Sequence, residues 1–285
     1  MAVLVLSEAG AEATARLISA AEKLGAAEKP GGPVEVVSAG DDATPEAVAA
    51  ALARRVRAGG HGAVVGGMSR LARAALTRLA GLLDVMPVVD VVAIEAPDTF
   101  VRPMHAGNVL ARVRSTDEVR VVLARAAAFA PAEMAQMEIA PLELAESDML
   151  GVEVLGDERH DGEHPPLGSA RVVVGFGHGA AGEEARRLME ELARKLNAAI
   201  GATRMVVDAG LAPNDWQVGQ TGQAIAPKLY LAFGISGAQQ HVAGIHDAEI
   251  VVAVNTDAQA PIFRHADYGL VMDAEQALRE LLEKL

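Results

Sequence analysis

Short apolar runs alternate with amphipathic stretches from the first residues onward, and this alternation limits the available folds more than any other feature of the chain. Residues 2–6 (AVLVL), 34–37 (VEVV) and 63–66 (AVVG) read as buried strands. The spacing between them predicts helices over 11–24, 44–58 and 69–82. Asp42 or Thr44 is expected to cap the second helix, with Pro45 in its first turn, and Ser69 the third. A strand, then a helix, then a strand again packs as a parallel sheet covered by helices. Hydrophobic residues make up 51% of the chain but aromatics only 3%. The apolar content is therefore Ala, Val, Leu and Gly, which suits close packing of helices on such a sheet.

The texture changes at Met86. The segments MPVVDVVAI, TFVRP, NVLARVRS and EVRVVLARA are β-rich and separated by short breaks. They are expected to add strands to the same domain. Residues 141–169 mix Pro, Gly and clustered charge without helical periodicity and are read as a linker. A second α/β unit begins at Ala170. ARVVVGF, TRMVVDA, KLYLAFG and EIVVAVN are expected strands, with YGLVM a short one. Between the first two, helix 183–197 places Ala185, Leu188, Met189, Leu192 and Leu196 on one face. DAEQALRELLEKL is read as a closing helix capped by Asp273. The expected fold is thus α/β with two domains. Residues 1–169, linker included, form a parallel sheet with added strands, and residues 170–285 a doubly wound parallel sheet.

Several classes of function are excluded or disfavoured. The chain has no cysteine, so disulfides, thiolate zinc sites and iron–sulfur ligation are ruled out. A net charge of −13 repels phosphate backbones, and no nucleic-acid partner is expected. The balance is equally compatible with simple solubility and with docking to a basic protein surface. The N-terminus, MAVLVLSEAG, has no basic region followed by an apolar core, and no run of 18 apolar residues occurs. Neither an export signal nor membrane insertion is expected, and a cytoplasmic address is, with the mature form of a mitochondrial matrix protein as the alternative. There is no GxSxG nucleophile motif, and HDAE at 246–249 and HDGEH at 160–164 lack the HExxH zinc spacing. No metal site is expected, at His160 and His164 or elsewhere.

Three stretches of the second half carry chemistry. Gly177-His178-Gly179-Ala180-Ala181-Gly182 is a GxGxxG between a strand and a helix, where glycines permit close backbone approach to a pyrophosphate. Asp208, at the end of the next expected strand, is the candidate ribose-binding carboxylate, though farther along than the usual ~20 residues. The motif alone leaves three readings open: a nicotinamide fingerprint, contact with another nucleotide, or tight packing. The turn-forming stretch from Pro213 to Gly222 (PNDWQVGQTG) gathers neutral hydrogen-bonding groups in Gln217, Gln220 and Thr221. Such groups suit a flavin ring edge better than acid–base chemistry, although an ordinary surface loop reads the same way. From Phe233 to His241 (FGISGAQQH) the chain leaves a strand and starts a short helix, with Ser236 the expected N-cap. By composition alone, His241 is more often structural than functional.

Together, VVDAGLAPNDWQVGQTG (206–222), APKLYLAFGISGAQQHVAGI (226–245) and VVAVNTDAQAPIFRHADYG (251–269) resemble the alpha-subunit family of electron transfer flavoproteins. GLLDVMPVVDVVAI and FVRPMHAGNVLARVRS in the first half resemble it too, so the similarity covers most of the chain. The resemblance implies a C-terminal FAD-binding domain and a beta-subunit partner that cradles it. It further implies an electron carrier that turns over no substrate of its own. Flavin dehydrogenases, often acyl-CoA dehydrogenases, would be its donors, and a membrane-associated quinone oxidoreductase its acceptor. It implies that Arg204 lies over the flavin and that Thr221 bonds near N5, with Val218, Gly219 and Gln220 in the same wall. His241 would donate toward the C2 carbonyl. Ser236, Gly237, Ala238, Gln239 and Gln240 would line the ribityl and pyrophosphate, with Thr203 beside the phosphates. Asn255 would meet the ribityl–phosphate region and Asp273 the adenosine end. His178 stands where the family usually has an arginine, a change from a permanent charge to one that depends on pH. The rival readings are a nicotinamide-dependent dehydrogenase and a non-catalytic nucleotide-binding module.

Overall fold

The computed structural model describes residues 1–7, 10–25, 33–40, 43–105, 107, 109–133, 138–145, 164–168 and 170–285. The chain divides into two compact units, Met1–Asp157 and Glu158–Leu285.

In the first unit six strands make one parallel sheet: β1 (Ala2–Leu6), β2 (Val34–Ser38), β3 (His61–Gly66), β4 (Pro87–Val91), β8 (Arg120–Ala124) and β9 (Ile139–Pro141), in the order β4-β8-β3-β1-β2-β9. The inner strands β1, β3 and β8 are apolar on both sides because helices cover both faces. Leu4 and Leu6 enter a core with helices α2 (Pro45–Gly59) and α3 (Arg70–Leu83), while Val3 and Val5 face α1 (Ala11–Gly25). Thr44 and Ser69 cap α2 and α3 as expected, accepting from the amides of Ala47 and Ala72. Asp42, the other cap candidate, lies outside the described residues.

The β-rich stretch does not simply extend the sheet. β4 and β8 join it, but β5 (Ala93–Ala96), β6 (Thr99–Met104) and β7 (Val109–Arg114) form a separate antiparallel sheet. The reason is local: short breaks such as that between β5 and β6 permit only a hairpin, whereas a parallel return needs a long crossover. Phe100 of β6 is fully buried in the core that holds Leu17 and Ile18. The expected linker is also shorter among the described residues. Pro141 ends β9, paired with Ser38, Leu142 is buried in the first unit, and Leu167 is buried in the second. Residues 146–163 of the expected linker, His160 among them, lie outside the described residues.

The second unit is a five-stranded parallel sheet of β10 (Val172–Phe176), β11 (Ala199–Ala202), β12 (Leu229–Phe233), β13 (Val251–Asn255) and β14 (Tyr268–Val271), ordered β11-β10-β12-β13-β14. α4 (Glu183–Leu196) and α7 (Ala274–Lys284) cover one face, over Val174, Phe176, Leu231 and Phe233. α6 (Gln239–Ile245) lies on the other, over Val173, Tyr230 and Ala232. One expected strand is a helix: α5 spans Arg204–Asp208, and the strand before it is Ala199–Ala202. β-Branched Thr203, Val206 and Val207 suggest a strand, but tertiary context decides. The Thr203 carbonyl accepts from Val206 and Val207, turning the chain into a helix. The small residues of β11 are needed because a Cβ at Gly201 would fall 2.9 Å from Val218 Cγ2. Among the described residues no helix is long and apolar enough to cross a membrane.

Candidate functional site

The order of the second sheet reverses direction between β10 and β12. In open parallel sheets ligands bind outside the carboxyl ends of the strands, at that reversal. The expected site residues belong to these ends. His178 follows β10, Thr203 and Arg204 follow β11, and Ser236 to Gln240 follow β12. Asn255 ends β13 and Asp273 follows β14. Val218 to Thr221 come from the loop after α5, which returns to β11 through a bridge between Gln217 and Ala202.

At the reversal, two turns pack backbone against backbone. Gly179 donates to the Gly234 carbonyl at 3.2 Å, and Gly177 to that of Phe233 at 3.0 Å. A Cβ on Gly177 would strike the Gly234 carbonyl and lie 2.8 Å from Ile235 Cα. Gly234 has φ +61°, and its Cβ would lie 2.5 Å from the Ala180 amide nitrogen. Of the GxGxxG glycines, Gly177 is therefore required by the protein's own backbone, and Gly179 is tightly placed, with a Cβ 3.1 Å from Gly234 Cα. The last, Gly182, is not: it caps α4, and a Cβ there would meet nothing within 4 Å. No side chain caps α4, so its first-turn amides lack a side-chain acceptor, although Glu183 and Glu184 in that turn offset the positive end of its dipole.

The loop from Gln217 to Gln223 is tied down on several sides. Gln220 donates to the Gln240 carbonyl at 2.8 Å, and Gly219 to that of Gln223 at 3.0 Å. Gln217 Nε2 donates to the Thr221 hydroxyl at 2.9 Å, which leaves the Thr221 O–H to donate outward. Gly219 has φ +142°, and a Cβ there would sit 2.8 Å from the Gln240 carbonyl. Gln220, Thr221, Ser236, Ala238, Gln239 and Gln240 are all exposed. The result is an open rim of neutral hydrogen-bonding groups.

Three residues sit differently from expectation, while a fourth, Asp273, caps its helix as expected. Ser236 is not the N-cap of α6, because the helix starts two residues further on and its cap is Ala238. The Ser236 carbonyl instead accepts from Ile262, and its side chain is left on the surface. His241 does not join the exposed rim. It is 5% exposed, with Nδ1 3.1 Å from the Val218 carbonyl and Nε2 2.9 Å from the Tyr230 hydroxyl. Burial lowers its pKa to about 4, against a smaller upward pull from the Val218 carbonyl. Asp208 is on a helix instead of a strand end and pairs with Arg204 at 3.2 Å. Asp273 caps α7, accepting from Glu275 and Gln276 through one oxygen, Oδ1.

Arg204 is well exposed, a cation at the edge of the rim paired with Asp208, and His178 is exposed as well. Asn255 spends both ends of its amide holding loops, donating to the Ile235 carbonyl and accepting from the Asp257 amide. A cavity of about 170 Å³ lies elsewhere, lined by Phe176, Arg186, Met189, Ile200, Leu211 and Trp216 among others. It is smaller than the ~300–1,000 Å³ usual for small-molecule pockets, and none of the expected residues lines it. The strand-end rim is the better match to a flavin nucleotide. Its glycine seam and uncapped helix suit phosphates, and its neutral donors suit a ring edge. Among the described residues no group of three or more His, Cys, Asp or Glu could hold a metal. Tyr230 and Gly175 are the elements the motifs missed. Their signals were a phenol inside an apolar strand and a glycine inside another.

Residues 3–149 match the model of the electron transfer flavoprotein domain, and residues 166–246 that of the electron transfer flavoprotein FAD-binding domain. The chain is 47% identical over 215 residues to the electron transfer flavoprotein subunit alpha of Paracoccus denitrificans, covering 75% of this chain and 70% of that one. It is 45% identical over 235 residues to the mitochondrial subunit alpha of Oryza sativa subsp. indica, covering 80% of this chain and 66% of the relative. A probable mitochondrial subunit alpha from Caenorhabditis elegans is 39% identical over 242 residues, covering 85% and 73%. The match thus spans about two thirds of the rice relative's length.

Proposed function

The chain belongs to the electron transfer flavoprotein family, and on that premise we propose that it serves as the alpha subunit, holding FAD on its second unit and working with a beta subunit as an electron carrier. One observation carries the reading: five strand ends, with the sheet reversal at their centre, gather the glycine seam, the neutral rim and Arg204 on one edge. FAD, when bound, supplies the redox chemistry. The chain's part is to bind the cofactor, orient it and set the charge around it. The exposed amides and hydroxyls of Gln220, Thr221, Gln239 and Gln240 would hold the ring and ribityl edges. The glycine turns and the start of α4 would face phosphate. His178 would add a hydrogen bond at the same edge. In this reading the carrier turns over no substrate of its own, its donors are flavin dehydrogenases, its acceptor is a quinone oxidoreductase, and its address is cytoplasmic.

The nicotinamide reading is disfavoured by geometry. Gly182 has open space where a fingerprint glycine makes close helix–strand packing, and Asp208 lies on a helix, paired with Arg204. The open rim also predicts that the chain alone holds FAD weakly. Co-expressed with its beta subunit, it should purify yellow, with one flavin per alpha chain by absorbance. A colourless complex would refute the reading. Stoichiometric FAD on the isolated monomer would refute the need for the partner.

Arg204 is expected to stabilise the negative charge that reduction places on the flavin. An exposed unit charge at contact range in water contributes about 1 kcal/mol, equivalent to roughly 40 mV for one electron. Arg204→Ala should therefore lower the first-electron potential by about that much, while Arg204→Lys keeps most of it. Dithionite titration of FAD-loaded variants against reference dyes measures the shift. Wild-type potentials in Arg204→Ala would leave the arginine as nothing more than the partner of Asp208.

A further inference from the structure

Gln217 is fixed at the root of the rim loop. Its backbone bridges to Ala202 at the end of β11, and its amide donates to the Asn214 carbonyl at 3.0 Å. Its carbonyl accepts from Gln223 at 2.8 Å, which closes the loop at the far end. Gly222 leaves room for the side chain to turn back. A Cβ there would strike the Gln217 carbonyl and lie 2.9 Å from Gln217 Cγ. The side chain returns over the turn to Thr221, with Nε2 2.9 Å from the hydroxyl oxygen. An amide nitrogen only donates, so the Thr221 oxygen accepts and its own hydrogen is left to point elsewhere. Among the described residues nothing accepts that hydrogen, and Thr221 is exposed on the rim. A hydroxyl is otherwise ambivalent, able to spend its hydrogen on any neighbouring acceptor. A carbonyl or carboxylate oxygen in place of Nε2 would draw the hydrogen inward.

We propose that Gln217 is a positioning residue of the cofactor site, which reserves the Thr221 hydrogen for the ligand. It acts through Thr221 and not by a contact of its own. At this point of the rim the site then selects a ring atom with a free lone pair. On a flavin that is a ring carbonyl or an unprotonated ring nitrogen, whereas a protonated ring nitrogen would meet the hydroxyl hydrogen head-on. This rests on the reading of the ligand as FAD. The alternative is an ordinary loop bond that keeps the turn in shape and leaves the ligand's contacts unchanged.

The test uses the full chain in its FAD-loaded complex with the beta subunit and follows FAD release at neutral pH. Gln217→Glu keeps the shape of the side chain but presents an oxygen, which takes the Thr221 hydrogen inward. It should release FAD roughly tenfold faster, the loss of about one hydrogen bond. Thr221→Val should do the same. In the Thr221→Val background, Gln217→Glu should add less than about twofold, since the hydrogen it would divert is already gone. A full tenfold step there means that the glutamate acts by its charge or on the loop itself, and overturns the proposal. FAD release at the wild-type rate from either single variant overturns it as well. If Gln217→Glu does not fold, ¹⁵N-glutamine labelling decides. The Gln217 side-chain amide signals should shift between wild type and Thr221→Val, and identical signals overturn the proposal. A wild-type complex that takes up no FAD while those signals still show the bond to Thr221 would instead refute the functional reading beneath it.

Discussion

Gly234→Ala is expected to destabilise the second unit by about 2–4 kcal/mol and to strip it of FAD. Two costs add. Holding a side chain at φ +61° costs about 1 kcal/mol relative to glycine. Forcing a Cβ to within 2.5 Å of the Ala180 nitrogen, in a seam made of backbone, costs a further ~1–3 kcal/mol. The neighbour cannot give way by changing rotamer, because the atoms in the way are main chain. Trp216 is the chain's single tryptophan and belongs to this unit, so its emission during denaturant unfolding follows the right transition. Gly182→Ser is the control. Its Cβ enters open space, and serine is at least as good an N-cap, so stability should hold or rise slightly. A Gly234→Ala transition within about 0.5 kcal/mol of wild type would mean that the seam is looser than its distances imply.

Acidification is expected to weaken the same unit through His241. Burial lowers the folded pKa to about 4 from the ordinary histidine value of 6.5. The unfolded chain therefore binds a proton that the folded chain refuses. The contribution is fully present above about pH 6.5 and is lost as pH falls toward 4. Integration gives a loss of about 2 kcal/mol by pH 5 and about 3 kcal/mol below pH 4. Most of the first part precedes the carboxylates, whose titration lies lower. Urea unfolding at pH 7 and pH 5, again by Trp216 emission, measures it. His241→Gln should be less stable at pH 7 but nearly flat across that interval. A wild-type profile equally flat would show that His241 is not held neutral by burial.

Much of this was legible because the first-half strands and helices each carry a local signal. The apolar run of β1, the caps Thr44 and Ser69 and the amphipathic face of α4 were read directly from residues. β11 was not, since Ala199, Gly201 and Ala202 have little strand preference and are chosen for the space beside Val218 and Val173. The next residues, with their β-branched side chains, drew the strand one element too far. β9 went unread because three residues, the last of them the first residue of the expected linker, show no periodicity. In the site, the rim residues were legible as a cluster of turn-forming polar groups. The inward turn of His241 was not, because it depends on Tyr230 and Val218, distant in sequence and brought together only by the sheet. Family resemblance named the residue but could not say which nitrogen was occupied.

The rim between Gly177 and Asp273 also bears on how the protein is made. Each strand end is separated from the next by a helix or a long loop, and every pairing in the sheet is parallel. Closing such contacts costs chain entropy before any of them is rewarded, and parallel pairings form slowly. No short peptide from this unit contains enough of the rim to greet a nucleotide. During synthesis, Asp273 emerges only after every other contributor to the rim. The cofactor can therefore meet its complete rim only once all five strands of the unit have been made.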